Sequence, residues 1–486
     1  MAVSGPDDRA GDYGFVVVAS RLPVDRVEEA DGGTSWRPSP GGLVAALEPV
    51  MRKADGVWVG WTGGAGPELG AFEAGGLQLF GVGLSAEQVR GHYEGFCNAT
   101  LWPLYHDVIA QPVFDRDWWD RYQEVNRRFA RAAAGLAAPG ATIWVHDYQL
   151  QLVPRMIREQ RSDVRIGFFN HIPFPCYEIF AQLPWRRQVV GGLLGADLLG
   201  FQRRNDAGNF LRASRRAWGA LTRGSTVRPE RGRQVRPVRA AAFPISVDSA
   251  ALEQIARQQE VTARAREIRD LLGDPDLVLL GIDRLDYTKG ILHRLNAYGE
   301  LLSEGRLGPR TVLVQVASPS RERVEAYRAL RDEVEVTVSR INGEHAELGS
   351  PPVHYLHQTY PREEMAALYL AADVMLVTPL RDGMNLVSKE YVASRYDENG
   401  TLVLSEFTGA ADELGGAFLV NPYDTEGLKG AIVRAATIGR AEARRRMRAM
   451  RRRVAEYDVA HWAATFLEAL NQAPTGDSAS GGAAPG

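Results

Sequence analysis

Cysteine is almost absent. Cys97 and Cys176 are the only two in 486 residues, and nothing about their spacing matches a metal-ligand pattern. A disulfide-stapled scaffold and a zinc ribbon are thereby set aside. Long hydrophobic runs are lacking too: no stretch of about 18 uninterrupted apolar residues occurs, as a membrane-spanning helix would require. The opening residues, MAVSGPDDRAGDYG, carry neither a basic n-region nor an apolar h-region. The setting expected is reducing and cytoplasmic.

An excess of either charge is also missing. Lys plus Arg is 57 and Asp plus Glu is 60, so a net charge of −3 offers no overall field to hold DNA or an acidic membrane. Neither nucleic acid nor membrane is expected as a partner, and anion binding has to be local. The basic stretch RAEARRRMRAMRRR (440–453) has no interleaved aromatic residue and reads as a solvated helix face. The tail APTGDSASGGAAPG (473–486) has almost nothing to bury and is expected to be disordered.

What is present is ample apolar material, 45% of the chain, enough for more than one core. Short apolar runs recur between helical patterns: FVVVAS (15–20), VWVGW (57–61), TIWVH (142–146), RIGFFN (165–170) and LLGF (198–201). The rhythm resumes with LVLLGID (277–283), TVLVQVA (311–317), DVMLV (373–377), TLVLS (401–405) and AFLVN (417–421). Several runs are apolar throughout and do not alternate, which suits parallel strands covered on both faces. Strand–helix alternation twice over predicts an α/β fold of two Rossmann-like, doubly wound lobes facing a central cleft. The boundaries expected are 1–245 for the first lobe and 246–455 for the second, with a helix at 456–472 returning to the first.

In such sheets ligands sit beyond the carboxyl ends of strands. Arg21 comes straight off the first run, and Gly41–Gly42 open a helix where free N–H groups attract phosphate. The dinucleotide fingerprint GxGxxG is absent after that run, which argues against a nicotinamide enzyme. The non-periodic segment YEGFCNATLWPLYHD (93–107) holds Tyr93 and Trp102, as a sugar-stacking wall or as a local hydrophobic cluster. His146 and Asp147 follow one strand and His171 the next; Asp147 can accept from substrate hydroxyls and His171 can donate to one.

Further along, LLGIDRLDYTKG places Arg284 and Lys289 in one loop, two cations suited to a departing diphosphate. No Asp-x-Asp pair occupies a loop suited to a metal, so a metal-independent mechanism without a cofactor is expected. In VTPLRDGMNLVSKEYV (377–392) two charges, a glycine and an amide stand where a strand hands over to a helix. A helix start at Met384 is expected there. The N–H groups of Gly383 to Leu386 can hold a diphosphate, Asp382 can reach a sugar hydroxyl and Glu390 a ribose diol.

Taken in order, SRLP with SPGGL, YEGFCNATLWPLYH, VHDYQL, GFFNHIPFP, DRLDYTKG, SPSRERVEAY, RINGEH and TPLRDGMNLVSKEY resemble the trehalose-6-phosphate synthases, retaining glycosyltransferases of the two-lobed GT-B architecture. The likeness runs from about residue 15 to residue 470, and eight motifs in family order make it specific. It implies transfer of glucose from a nucleoside diphosphate glucose, a co-substrate, to C1 of glucose 6-phosphate. By the same resemblance Arg21, Tyr93 and Arg321 hold the acceptor's phosphate, while Trp102 and Asp147 face its ring. Gly41, Gly42, Arg284, Lys289, Tyr360, Asp382, Gly383, Met384, Asn385, Leu386, Val387 and Glu390 match the donor site, and His171 lies near the donor's hexose. The catalytic set implied is His171, Arg284, Lys289 and Asp382.

No pair of carboxylates stands as nucleophile and base, and the family is thought to use front-face attack, in which the leaving phosphate takes the acceptor's proton. Two positions depart from the family: Asn170 where an apolar residue is common, and Tyr360 where a Phe often lies beside the base. The donor, UDP- or GDP-glucose, is left open, as is self-association into a homo-oligomer. A pseudo-glycosyltransferase and a silent sugar-phosphate-binding relative are the alternatives.

Overall fold

The chain divides into two units, Met1–Pro244 with Trp462–Gly486, and Ile245–His461. The computed structural model describes residues 11–28, 34–38, 42–228, 236–321 and 323–473. Gly41 and the tail beyond 473 lie outside the described residues.

Apolar runs without alternation become strands of two parallel sheets. The strands of the first unit are β1 (Tyr13–Arg21), β2 (Val24–Glu28), β3 (Thr34–Pro38), β4 (Val57–Trp61), β5 (Gly70–Ala74), β6 (Leu77–Val82), β7 (Ala137–His146), β8 (Arg165–Phe169), β9 (Leu198–Phe201), β10 (Leu221–Arg223), β11 (Thr226–Arg228) and β12 (Val238–Ala242). Ten of them form one sheet in the order β10-β11-β12-β9-β8-β7-β1-β4-β6-β5, while β2 and β3 pair as a separate hairpin. Only β5, β10 and β11, at the two edges, run antiparallel to their neighbours. Val16, Val17 and Val18 are successive and all fully buried, so both faces of the sheet are covered.

Register decides which side chains leave the sheet together. Arg21 at the end of β1 stands opposite Trp61 at the end of β4, and His146 at the end of β7 stands opposite Phe169 at the end of β8.

The second unit carries β13 (Leu277–Arg284), β14 (Thr311–Ser318), β15 (Val353–Leu356), β16 (Val374–Val377), β17 (Thr401–Ser405) and β18 (Phe418–Val420). They form an all-parallel sheet in the order β15-β14-β13-β16-β17-β18. Leu279, Leu313, Leu376 and Val403 from its strands and Leu295 and Ile432 from its helices share one core.

From Trp462 onward the helix Val459–Asn471 belongs to the first unit. Trp462, Phe466 and Leu470 recur at helical spacing on one face. Phe466 stacks on Trp144 of β7 at 4.6 Å. A Cβ added to Gly167 or to Gly200 would fall 2.8 Å from the Phe466 ring, so the two glycines on neighbouring strands form the trough that admits it. Arg165 closes the end by donating to the carbonyls of Leu470 and Asn471.

One expectation is corrected here. The segment read as irregular, 93–107, is helical over most of its length: Val89–Leu101 winds with a wide i→i+5 pattern, shown by Trp102 N–H bonding Cys97 O, and Trp102–Tyr105 continues as an α-helix. A search at a 3.6-residue period misses such a helix because its side chains repeat at a wider spacing.

Candidate active site

In the first unit the ends of β1 and β4 bring Arg21 over the Trp61 ring, at 5.4 Å from its centroid, and Tyr93 meets the same ring edge-on at 5.3 Å. Asp25 accepts from Arg21 Nη2 at 2.8 Å. Gly63, at φ +94°, leaves the room, since a Cβ there would lie 2.2 Å from Arg21 Cζ. The result is a half-exposed guanidinium on a Trp61 platform that the Tyr93 ring shares. Such a pair suits a phosphate monoester. Trp102 is different: only 4% exposed, it packs against His106 at 4.1 Å and Tyr148 at 5.7 Å. The aromatic segment is chiefly core there, and Tyr93 is the ring that reaches the surface.

At the neighbouring strand ends Asp147 adopts φ +73°, a conformation that an L-residue takes only under constraint. Its carboxylate accepts the His171 backbone N–H at 3.0 Å, and its own N–H donates to Phe169 O. His146 Nδ1 and His171 Nε2 are 3.1 Å apart. Burial pushes the His171 imidazole down to about 3 and His146 well below its ordinary value, so both rings are neutral. The proton between them therefore belongs to one ring. His146 Nε2 is buried with no hydrogen-bond partner, and an orphaned acceptor is cheaper than an orphaned N–H. With the shared proton on His146 Nδ1, the neutral His171 ring keeps its own proton on Nδ1.

In the second unit the loop after β13 folds back against the end of β16. Leu380 N–H donates to Thr288 O at 2.7 Å, and Gly290, at φ +63°, lies so close that a Cβ would stand 2.1 Å from Thr378 O. This contact brings Lys289 to Asp382: their charged groups are 2.6 Å apart and both side chains are nearly buried, at 10% and 15% exposed. Asn385 Nδ2 donates to the same carboxylate at 3.2 Å. Arg284 is exposed at the tip of β13.

The helix that follows starts at Leu386, not at Met384 as expected. Asn385, at φ +75°, is its N-cap and takes the Ser388 N–H on its side-chain oxygen at 3.0 Å. A left-handed residue cannot belong to the helix, so Gly383 and Met384 remain in the turn. Leu386 and Val387 then offer the first N–H groups without an intrahelical acceptor. The turn rests on Gly409, where a Cβ would stand 2.2 Å from Gly383 O, and on Ala410 N–H, which donates to Met384 O at 2.9 Å.

Glu390 accepts from Tyr369 OH at 3.0 Å, and burial pushes its carboxyl up against the lowering effect of that bond. Lys389 points the other way, buried against Glu413 and Ile245 O. Of the charges that interrupt this strand–helix joint, Lys389 is structural. Gly42 opens the helix Gly42–Ala54, and Tyr360 is half-buried with its hydroxyl bonded to Gln358 Nε2.

Arg321 falls in the second unit, unlike the other residues expected around the acceptor. Its side chain is 7% exposed and bonds Asp286 and Tyr327. Trp61, Gly63, Asp286, Tyr327 and Tyr369 were not foreseen as site residues. The signal for Asp286 lay inside DRLDYTKG, but partners dozens of residues away are not visible in a motif. Among the described residues the one carboxylate group with metal-like spacing is Glu300, Glu304 and Glu426. Its centre is taken by Lys429 Nζ, at 2.9, 2.6 and 2.5 Å from the three.

The family model described as Glycosyltransferase family 20 matches residues 13–472. A trehalose-6-phosphate synthase of Mycolicibacterium vanbaalenii is 57% identical over 96% of this chain and 98% of its own. Among solved structures, an alpha,alpha-trehalose-phosphate synthase (UDP-forming) from Burkholderia vietnamiensis is 35% identical with a TM-score of 0.85, covering 94% of this chain and 98% of that one. The Burkholderia xenovorans enzyme, solved in complex with glucose-6-phosphate, is 34% identical with a TM-score of 0.86, covering 94% of this chain and all of its own.

Proposed function

The chain belongs to glycosyltransferase family 20, and we propose that its two units divide one transfer, with the donor handled by the second. The reaction is that of a retaining glycosyltransferase: glucose passes from a nucleoside diphosphate glucose to C1 of glucose 6-phosphate, giving α,α-trehalose 6-phosphate and the nucleoside diphosphate. The single observation that carries the donor assignment is the Lys289–Asp382 pair at the turn before the helix Leu386–Ser394.

An anion and a cation 2.6 Å apart and nearly buried hold each other in place without ligand. A diphosphate entering beside Arg284 and the N–H groups of Leu386 and Val387 finds positive charge already aimed at it. Lys289 and Arg284 stabilise the charge that grows on the leaving phosphate, the role a metal ion fills elsewhere. Asp382 faces a hexose hydroxyl, Glu390 a ribose hydroxyl and Tyr360 the base. His171, donating through Nδ1, orients the hexose.

For the acceptor, Arg21, Tyr93 and Arg321 are assigned to the phosphate, and Asp147 and Trp102 to the sugar ring. In the step itself the C1 hydroxyl oxygen of the acceptor bonds to the donor's anomeric carbon as the bond to the diphosphate breaks. The leaving oxygen receives the hydroxyl proton, so no enzymic base is consumed. The chain supplies position and charge.

UDP-glucose is the donor assigned, in keeping with the UDP-forming relative, and the setting is cytoplasmic, supported by two cysteines that form no disulfide. Among the described residues no helix is long and apolar enough to cross a membrane.

Purified protein incubated with glucose 6-phosphate and UDP-, GDP- or ADP-glucose in turn should release the nucleoside diphosphate fastest with UDP-glucose, and equally well in EDTA. Release with none of the three would overturn the function. A GDP-glucose preference would overturn the donor assignment, and loss in EDTA the metal independence.

A further inference from the structure

Asp286, the second aspartate of DRLDYTKG, has no place in the scheme above, yet its carboxylate accepts four hydrogen bonds. It is fully buried. One oxygen accepts from the Thr288 backbone N–H at 3.0 Å and from Thr288 Oγ1 at 2.9 Å; the other accepts from Arg321 Nη1 at 3.3 Å and Tyr327 OH at 3.2 Å. Arg321 also donates to Tyr327 OH, which closes a triangle of guanidinium, phenol and carboxylate. Burial alone would raise this carboxyl, but Arg321 first, then Arg284 and Lys289, bring it down to about 2. It is an anion at every working pH.

The peptide geometry adds a separate observation. Arg321 sits at φ +49°, where an L-residue stays only if its surroundings hold it. The loop after β13 and the one after β14 are stitched together by Leu285 N–H bonding Ser318 O at 2.8 Å. Asp286 thus feels the charge of Arg284 and Lys289 in its own loop and bonds the arginine of the neighbouring loop directly.

We propose that Asp286 is a positioning residue for acceptor recognition: with Tyr327 it clamps Arg321, so that the loop gripping the donor diphosphate also sets the stance of the arginine that receives the acceptor's phosphate. This rests on the reading that Arg321 binds that phosphate. The clamp holds a long, rotamer-rich side chain in place before any ligand arrives, which lowers the ordering cost of binding. Its signature is selective: loosening it weakens glucose 6-phosphate and spares the donor.

The test compares Asp286→Asn and Tyr327→Phe with the wild-type chain, measuring KM for glucose 6-phosphate, KM for the nucleotide sugar, kcat and melting temperature. Charge-assisted hydrogen bonds of this kind predict that Asp286→Asn raises KM for glucose 6-phosphate about tenfold or more. Tyr327→Phe keeps the carboxylate, loses one leg of the triangle, and should raise the same KM about threefold even if the asparagine variant folds poorly. The donor KM should stay within about twofold in both. Equal increases in the two KM values, or a drop in kcat alone, would show a general role in the loop and overturn the proposal, as would an unchanged KM in folded protein. Calorimetric titration with glucose 6-phosphate and no donor reads the same contrast without turnover. An active wild-type enzyme with indifferent variants sinks only the clamp, whereas a wild-type chain that neither turns over nor binds glucose 6-phosphate sinks the function with it.

Discussion

Gly409→Ala puts one methyl group behind the donor turn. The added Cβ would stand 2.2 Å from Gly383 O and 3.1 Å from Met384 Cα, and all of these are backbone contacts that no rotamer change relieves. Gly409 is not in a left-handed conformation, so the effect is purely steric. Restoring ordinary contact requires the Gly383–Met384 peptide to retreat by about 1 Å, a displacement of reacting or binding groups that typically costs about 100-fold in rate. That corresponds to about 2.7 kcal/mol of transition-state stabilisation. The overpacking itself should cost about 1–3 kcal/mol of fold stability, which leaves a soluble enzyme. The assay is steady-state turnover with the nucleotide sugar varied at saturating glucose 6-phosphate, beside Gly415→Ala, where a Cβ meets nothing within 4 Å. A folded Gly409→Ala protein with kcat/KM within threefold of wild type, or an equal loss in the control, would refute the idea that this turn must be placed to better than an ångström.

Arg284→Ala should lower kcat by about 2–4 kcal/mol in transition-state terms while melting like wild type, since the side chain is exposed; unchanged turnover would remove it from the catalytic set. Phe466→Ala empties a fully buried site on the first sheet and should cost about 3–5 kcal/mol, read as an earlier denaturant midpoint. Acid should destabilise the first unit before its carboxylates matter. His92 and His171 are held down to about 3 by burial, against an ordinary 6.5. The unfolded chain therefore takes up protons in that window and the native chain does not. Stability is full above pH 6.5 and falls as pH drops toward 3, by about 1.4 kcal/mol per pH unit for each histidine. Thermal melts from pH 7.5 to pH 5 that stay flat would contradict it.

How much of this was readable beforehand follows from the physics of each signal. β1, β4, β7, β8, β9, β13, β14, β16 and β17 announce themselves because strands buried on both faces are apolar without interruption, and β18 does so by its apolar run although it is an edge strand with Leu419 exposed. The edge strands β5 and β10 and the hairpin β2–β3 do not, because pairing on one side leaves short, mixed sequences; β11, paired on both sides, is only three residues long. The wide helix from Val89 was misread because its period is not the one searched for. At the site, residue types and strand ends pointed to Arg21, Asp147, His171, Arg284, Lys289 and Asp382, but not to their partners. Nothing in the order of residues tells that Lys289 meets Asp382 across 93 positions, or that Arg321 is tied to Asp286. Asn385 could be seen as an amide in a turn; that it would cap the helix two residues later than expected depends on a backbone angle.

The trough on β7, β8 and β9 that receives Phe466 has a consequence for how the protein is made. The ribosome delivers the strands of the first unit before any of the second unit, yet the helix that covers them, Val459–Asn471, arrives only after the second unit's strands. Until then Trp144, Gly167, Phe169 and Gly200 face outward without their lid, while the second unit is being synthesised and can fold on its own contacts. Domains usually mature in the order of translation. Here the first unit begun is the last one finished, and the time between its strands and its final helix is when nascent chains are most open to capture by a chaperone or by each other.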